Sequence, residues 1–518
     1  MSKDVALQIL VLIVLFSPLA AAFISLLSWR RPRWLSALTI SFASVSLLAS
    51  FIIASGRLHE FSIESFLKSY FYLDALSVYF ILLVNLVAFV ASWYTAQFLA
   101  FNAQSGSKTN PAWFHFLFNF FHFTMLVVPM VDNLVILWIA VELTTIFSAL
   151  LVAYRGDRKS LEAAWKYIII TTTGIIFALL GTLFLANALP SGIAKIDVNP
   201  MNWSVLVNPK LFTQLDDTFV KLSFLFILVG YGTKAGFAPM HTWLPDGHGE
   251  APSPVSALLS GVLLKSALYA LLRFYTIANL ALGNNTFTSN IFLFSGLFSL
   301  ALATPFILKR NKFKRVLAYH SLEHMGIIAF GIGIGGPIAL FGALLHALNH
   351  ALTKALIFLT YGHIRHEYAR RGIEIEQEDM KNGAGALKSM PVSGMLLALG
   401  GLALVGSPPF NIFMSEIIIL WAAVHRAQNG TWLDILAVVL FLLTTTLIFG
   451  GLVKHLARLL LGKPPFTIDE GIFSLWPLLA LIFIILTFGL FIPTAPVDFP
   501  ELLRQSVCIV SKGPAACP

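Results

Sequence analysis

Long apolar stretches alternate with short polar ones along the whole chain. About 18 apolar residues suffice to cross the hydrocarbon core of a bilayer as a helix. Stretches of that kind fall at 5–28, 34–54, 72–99, 113–131, 133–153, 161–187, 218–240, 253–277, 290–308, 316–334, 337–361, 391–423, 433–455 and 474–495. The pattern predicts an all-α polytopic membrane protein with about fourteen transmembrane helices. The split at Asp132 is its weakest boundary. Two spans are interrupted: the seventh runs into Pro239, Pro245, Pro252 and Pro254, and the twelfth contains Pro408 and Pro409. Proline removes a backbone donor, and a broken helix is tolerated at membrane depth only against protein or a wet cavity. The seventh and twelfth spans are five apart and therefore opposed in direction, which predicts two inverted five-helix repeats. These are 113–278 and 279–460, preceded by three spans in 1–112 and followed by the last span and an outer tail in 461–518.

Composition agrees and excludes other classes. Of 518 residues 58% are hydrophobic and 11% charged, with mean hydropathy +0.82, which rules out a set of soluble domains. The net charge of +9 calls for no nucleic acid. Its lysines and arginines gather in loops after odd-numbered spans, as in Arg30, Arg31 and Arg33, in Lys309, Arg310, Lys312, Lys314 and Arg315, and in Arg365, Arg370, Arg371 and Lys381. A basic excess marks cytoplasmic loops, so both termini are expected on the outer side of the plasma (inner) membrane. The only cysteines are Cys508 and Cys517 in the tail, too few for an iron–sulfur or thiolate zinc site. An outer location permits a disulfide between them; a frayed tail would leave both free.

Charged residues inside apolar spans are costly and point to ion paths. Glu142 lies within LVILWIAVELTTIFSALL, Lys234 at the end of the seventh span and Lys265 within the eighth. Glu142 can pair with Lys234 in a working couple or in one that only fixes packing. The eleventh span carries His346, His350 and Lys354 at i, i+4 and i+8, one stripe on a helix. Imidazole receives a proton on one nitrogen and releases it from the other, so the stripe is a plausible wire. Histidines at that spacing also ligate metals, but Asn349 is the only other polar candidate there, and the wire is favoured. Glu323 and His324, with His320, open the tenth span and suit either a proton inlet or an ordinary helix start. His241 and His248 in the broken segment are placed to feed Lys234, whereas Asp246 and Glu250 suit caps in a wet loop. Asp74 and Asp132 look like boundary residues. Glu416, seven residues past Pro409, mirrors Lys234 as the outer terminus of the relay. No motif for flavin, nickel or quinone is present, and no metal or cofactor site is expected.

The stretches WIAVELTT, AAWKYIIITTTG, KAGFAPMHTWLPDGHGEAPSPVSALLSGVLLKSALY, SLEHMG, LLHALNHALTKALIF and GSPPFNIFMSE cover about residues 130–420. In this order they resemble the antiporter-like subunits of respiratory complex I, multisubunit cation/proton antiporters and group 4 hydrogenases, above all component F of hydrogenase 4. The resemblance implies the fourteen-helix fold with its two repeats. It implies Glu142 and Lys234 as the charge pair, Lys265 as the bridging lysine, the eleventh-span histidines as the connection and Glu416 as the exit. It implies a non-catalytic proton-translocating subunit among other membrane subunits and a peripheral redox or other energy-supplying module. With the fourteenth span close to residue 518, the long lateral helix of the largest complex I subunit is not expected here, which argues against that subunit's distal position. The rival expectations are a Na⁺ or K⁺/H⁺ antiporter subunit and the proton path of an inorganic-carbon uptake complex.

Overall fold

The computed structural model describes residues 3–27, 32–56, 71–104, 109–190, 199–309, 312–373, 384–463, 466–468, 470 and 472–517. Arg30, Arg31, Arg310, Lys381 and the acidic stretch 374–379 lie outside the described residues. The helices are α1 Lys3–Leu27, α2 Pro32–Ser55, α3 Ala75–Gln104, α4 Pro111–Val127, α5 Leu134–Val152, α6 Arg158–Asn187 and α7 Asp217–Ala235. They continue as α8 Ser253–Leu282, α9 Thr286–Lys309, α10 Phe313–Ile334, α11 Gly336–Ala369, α12 Pro391–Leu404, α13 Asn411–Gln428, α14 Trp432–Leu460, α15 Ile472–Leu490 and α16 Phe499–Lys512. Among the described residues eleven helices are long and apolar enough to cross a membrane. The 22-residue α10, the pair α12 and α13, and the shorter α15 complete the predicted set.

Local sequence fixes where the helices start. Asn110, Asn133, Asp157 and Asp216 each accept hydrogen bonds from the first turn of α4, α5, α6 and α7, which satisfies amide groups that have no partner within the helix. Thr431 and Asp434 form a capping box on α14. The weak boundary at Asp132 is a real break: the chain leaves α4 through a 3-10 turn at Val128–Met130, and Asp132 accepts from the Ser204 amide and hydroxyl.

Without a solvent-driven hydrophobic force between helices in lipid, close approach depends on small residues. A Cβ at Gly230 of α7 would overlap the Ala178 backbone of α6, and one at Gly174 would meet the Thr233 side chain. The most hydrophobic stretch of α8 is wholly buried and that of α11 is 94% buried, so these two helices form the axis of the bundle. Helices α5, α6 and α14 instead turn leucine, isoleucine and phenylalanine outward.

The seventh span breaks as expected. Beyond α7 the chain forms a 3-10 turn at Met240–Trp243 and a short helix at Leu244–Glu250 before α8 starts. The twelfth is split between α12 and α13. Of the two alternatives for the tail, the structure shows the disulfide: helix α16 packs on α3, α8 and α11, and Cys508 and Cys517 are bonded. Near it Arg273 of α8 is fully buried. It donates to both Asp74 oxygens at 2.8 Å, to Tyr269 and to Ser77, and its guanidinium lies 3.7 Å from the Trp203 ring centroid.

Candidate functional site

The first half of the site lies between α5, α6 and the end of α7. Gly236, at φ 82°, closes α7 in the left-handed conformation and places Lys234 in the last turn. Backbone carbonyls at a helix C-terminus favour a cation, and Trp243 of the broken segment donates its indole N–H to the Thr233 carbonyl at 2.9 Å. Lys234 is completely buried; its Nζ donates to Thr145 Oγ1 at 2.6 Å and to Tyr167 OH at 2.8 Å. Glu142, half-buried one turn before Thr145, accepts from Thr145 at 3.2 Å and from Thr172 of α6 at 2.8 Å. The ammonium and the carboxylate therefore communicate through a hydroxyl. Thr145 accepts from one and donates to the other, a dual role open to hydroxyl groups. A second hydroxyl chain runs from Tyr167 to Ser148 at 2.7 Å.

The broken segment separates two environments. His248 is buried edge-on to Trp243 and Phe358, with no hydrogen-bond partner for either ring nitrogen among the described residues. His241 is buried beside Tyr319. Asp246 pairs with Arg315 at 2.5 Å and with Lys166 at 3.5 Å at the rim of a polar cavity of about 290 Å³ lined also by Thr242, Pro245 and Tyr319. Glu250 lines a neighbouring cavity with Lys159, Glu162 and Lys312. Lys314, counted in the sequence among loop charges, is buried and donates to the Ala251 carbonyl at 2.6 Å, clasping the end of the break.

The second half centres on α8, α10 and α11. A π turn at Leu259–Leu263 widens α8, a feature often found at functional positions, and presents the Ser260 carbonyl to Lys265 Nζ at 2.7 Å. The same ammonium meets His350 Nδ1 at 2.5 Å. His350 stacks on His324 with ring centroids 4.7 Å apart, His324 Nδ1 lies 3.0 Å from His346 Nε2, and His346 Nδ1 lies 3.0 Å from Ser415 of α13. Glu416 follows, half-buried, with a carboxylate oxygen within 4.8 Å of one ring nitrogen each of His324 and His346. Lys354 donates to the Leu317 carbonyl, and Glu323 pairs with His320 at 2.6 Å. The structure thus brings Lys265, His350, His324, His346 and Glu416 into one file, and Glu142 and Lys234 into another. His248, with no hydrogen bond to either file, lies between Trp243 and Phe358. Lys354, Glu323 and His320 form a branch on α10 and α11. Sequence reasoning missed Thr145, Tyr167, Thr172 and Ser415, hydroxyls that look like any others in a membrane helix until the helices pack.

A polytopic helical bundle with ionisable side chains joined at membrane depth along two broken helices defines a membrane ion-translocation subunit by architecture. The profile of the NADH:quinone oxidoreductase/Mrp antiporter transmembrane family matches residues 131–448, and the chain belongs to that family. It is 35% identical over 439 residues to a hydrogenase-4 component F homolog of Methylacidiphilum infernorum, covering 83% of this chain and 87% of the relative. It is 28% identical over 319 residues to NADH-quinone oxidoreductase subunit N of Desulforudis audaxviator, covering 62% of this chain and 60% of that one. In fold it is similar to a chain of the archaeal membrane-bound sulfane sulfur reductase, with TM-score 0.82, 23% identity, and coverage of 99% of this chain and 100% of the other.

Proposed function

We propose that the chain is the proton-translocating membrane subunit of a redox-driven complex of the hydrogenase 4 or complex I type. Protons would move along a relay of Glu142, Lys234, His241, His248, Lys265, His346, His350 and Glu416, with Lys354 as its charged branch. Glu323 would serve as the inlet, next to His324, which itself stands within the file. The observation that carries this reading is the file Lys265–His350–His324–His346, four titratable groups in successive contact at the bundle axis. Desolvating charge at this depth costs several kcal/mol per ion, and packing alone gives little reason to retain it. The two broken helices act as counterparts in opposed repeats. The basic loops support termini on the outer side of the inner membrane, and the Cys508–Cys517 disulfide fits an oxidising compartment. The relatives are subunits of larger assemblies, so a peripheral module supplies the energy as shifts in ion-pair geometry.

The test uses the native complex purified through this chain and reconstituted in proteoliposomes. Nickel and iron–sulfur subunits should co-purify, and Glu142→Gln should lower proton translocation while assembly persists. Undiminished pumping by Glu142→Gln removes the acid from the mechanism, and flux that requires Na⁺ or K⁺ turns the assignment to a cation/proton antiporter.

A further inference from the structure

A proton relay explains why His324, His346 and Glu416 meet, but not the direction in which the two imidazoles face. Ser415 Oγ donates to the Ile412 carbonyl at 2.9 Å, so it accepts from its other neighbours: Asn349 Nδ2 at 3.2 Å and His346 Nδ1 at 3.0 Å. The hydroxyl has only one hydrogen to give. His346 therefore carries its proton on Nδ1, and its Nε2 lone pair points at His324 Nδ1. His324 Nε2, fully buried, has no hydrogen-bond partner among the described residues. His346 Nε2 thus accepts from His324 Nδ1–H; with that proton lost or moved to Nε2, two imidazole lone pairs and one carboxylate face one space from three helices.

We propose that His324, His346 and Glu416 form a binding site for a divalent cation of the Zn²⁺ type, which takes the place of the proton between the two imidazoles. Two histidines and a carboxylate, with a water in the fourth position, are an established donor set for that ion. Zn–N bonds of that class put tetrahedral ligand nitrogens about 3.3 Å apart, so the present 3.0 Å separation needs only slight opening. Glu416 has to swing inward; its carboxylate rests against Gly406, where a Cβ would overlap it. Ser415 orients His346 as outer-shell partners orient metal-bound histidines. A second set, His320, Glu323 and His324, shares His324 with the first, so the two compete for one ion. A bound ion ties α10, α11 and α13 together and holds the relay histidines in one state. That consequence, though not the site, rests on the relay reading.

The experiment titrates the purified full-length chain with Co²⁺, a coloured substitute for Zn²⁺. One equivalent should bind with the visible spectrum of a four-coordinate ion and be displaced by Zn²⁺. His346→Gln and Glu416→Gln should each weaken binding at least tenfold, and His320→Gln by less than threefold. X-ray absorption of the Zn²⁺-loaded wild-type protein should show two imidazoles and oxygen ligands, a readout that needs no variant to fold. Absence of uptake by the wild type, or uptake unchanged by both His346→Gln and Glu416→Gln, overturns the site. Metal bound by these ligands with proton flux undisturbed sinks the relay reading and leaves the site standing. Flux that depends on Lys265 in a chain that binds no metal does the reverse.

Discussion

Thr145→Val is the sharpest perturbation of the first half of the path. Valine keeps the branched shape and removes the one hydroxyl that both accepts from Lys234, at 2.6 Å, and donates to Glu142, at 3.2 Å. Lys234 retains Tyr167, and Glu142 retains Thr172, so neither charge is stranded. The helices should therefore still assemble. A hydrogen bond to a charged group contributes roughly 1.5–3 kcal/mol, and each ~1.4 kcal/mol is tenfold in rate. Proton flux should then fall about ten- to a hundredfold at normal protein yield. Inward collapse of Glu142 onto Lys234 would hold the charges together more firmly and slow flux further. The assay is a pH-sensitive dye in proteoliposomes carrying the reconstituted complex, normalised to incorporated protein. Tyr167→Phe serves as comparison and the double variant as a cycle. Residues of one network should be non-additive. Wild-type flux in Thr145→Val would refute the hydroxyl bridge and leave the contact as packing.

Lys265→Gln should abolish flux, whereas Lys354→Gln should reduce it only partly, since Lys354 meets a backbone carbonyl and not an imidazole; equal losses in the dye assay would place both on one line. Asp74→Asn strands the buried Arg273 and should cost about 3–5 kcal/mol, read as a lowered unfolding temperature in detergent, with flux per folded molecule unchanged. Gly230→Leu should prevent assembly, because even a Cβ there overlaps the Ala178 backbone. Gly450→Ala, with open space around it, should assemble normally in the same membrane-yield measurement.

What the sequence made legible follows from cost. A lysine or glutamate within a long apolar run has no inexpensive explanation, so Glu142, Lys234, Lys265 and Glu416 stand out, and proline announces each broken helix. Hydroxyls carry no such signal. Thr145 and Tyr167 look like many threonines and tyrosines in membrane helices, and their role exists only once α6 packs against α7 through Gly174, Gly181 and Gly230. A residue near a span start was misjudged for a related reason. Lys314 occupies a position where a basic residue commonly meets water, and only the arrangement of neighbouring segments buries it. His115 and His122, in a phenylalanine-rich run, drew no attention. The structure buries both on α4, one against Thr39 and Ser36 and the other against Asn85.

The two halves hold their lysines by different chemistry, and this limits what each can do. Around Lys234 the partners are hydroxyls, which rotate and exchange donor for acceptor roles without leaving the carboxylate unpaired. Around Lys265 the partners are a backbone carbonyl and an imidazole. The carbonyl can hold an ammonium but cannot pass a proton onward, so in the proposed relay transfer would leave through His350 and the stacked His324. On that proposal the first half would modulate a charge in place, by moving Glu142 relative to Lys234. The second would relocate one. A complex that converts a distant reaction into proton movement needs both operations. Between them stands the segment 236–252, which ends α7 beside Lys234 and contacts α8 through Ser256, donor to the His248 carbonyl at 2.9 Å. Rigid-body movement of that segment would change both environments together, because its Trp243 caps the Lys234 helix while its His248 rests against Phe358 of α11.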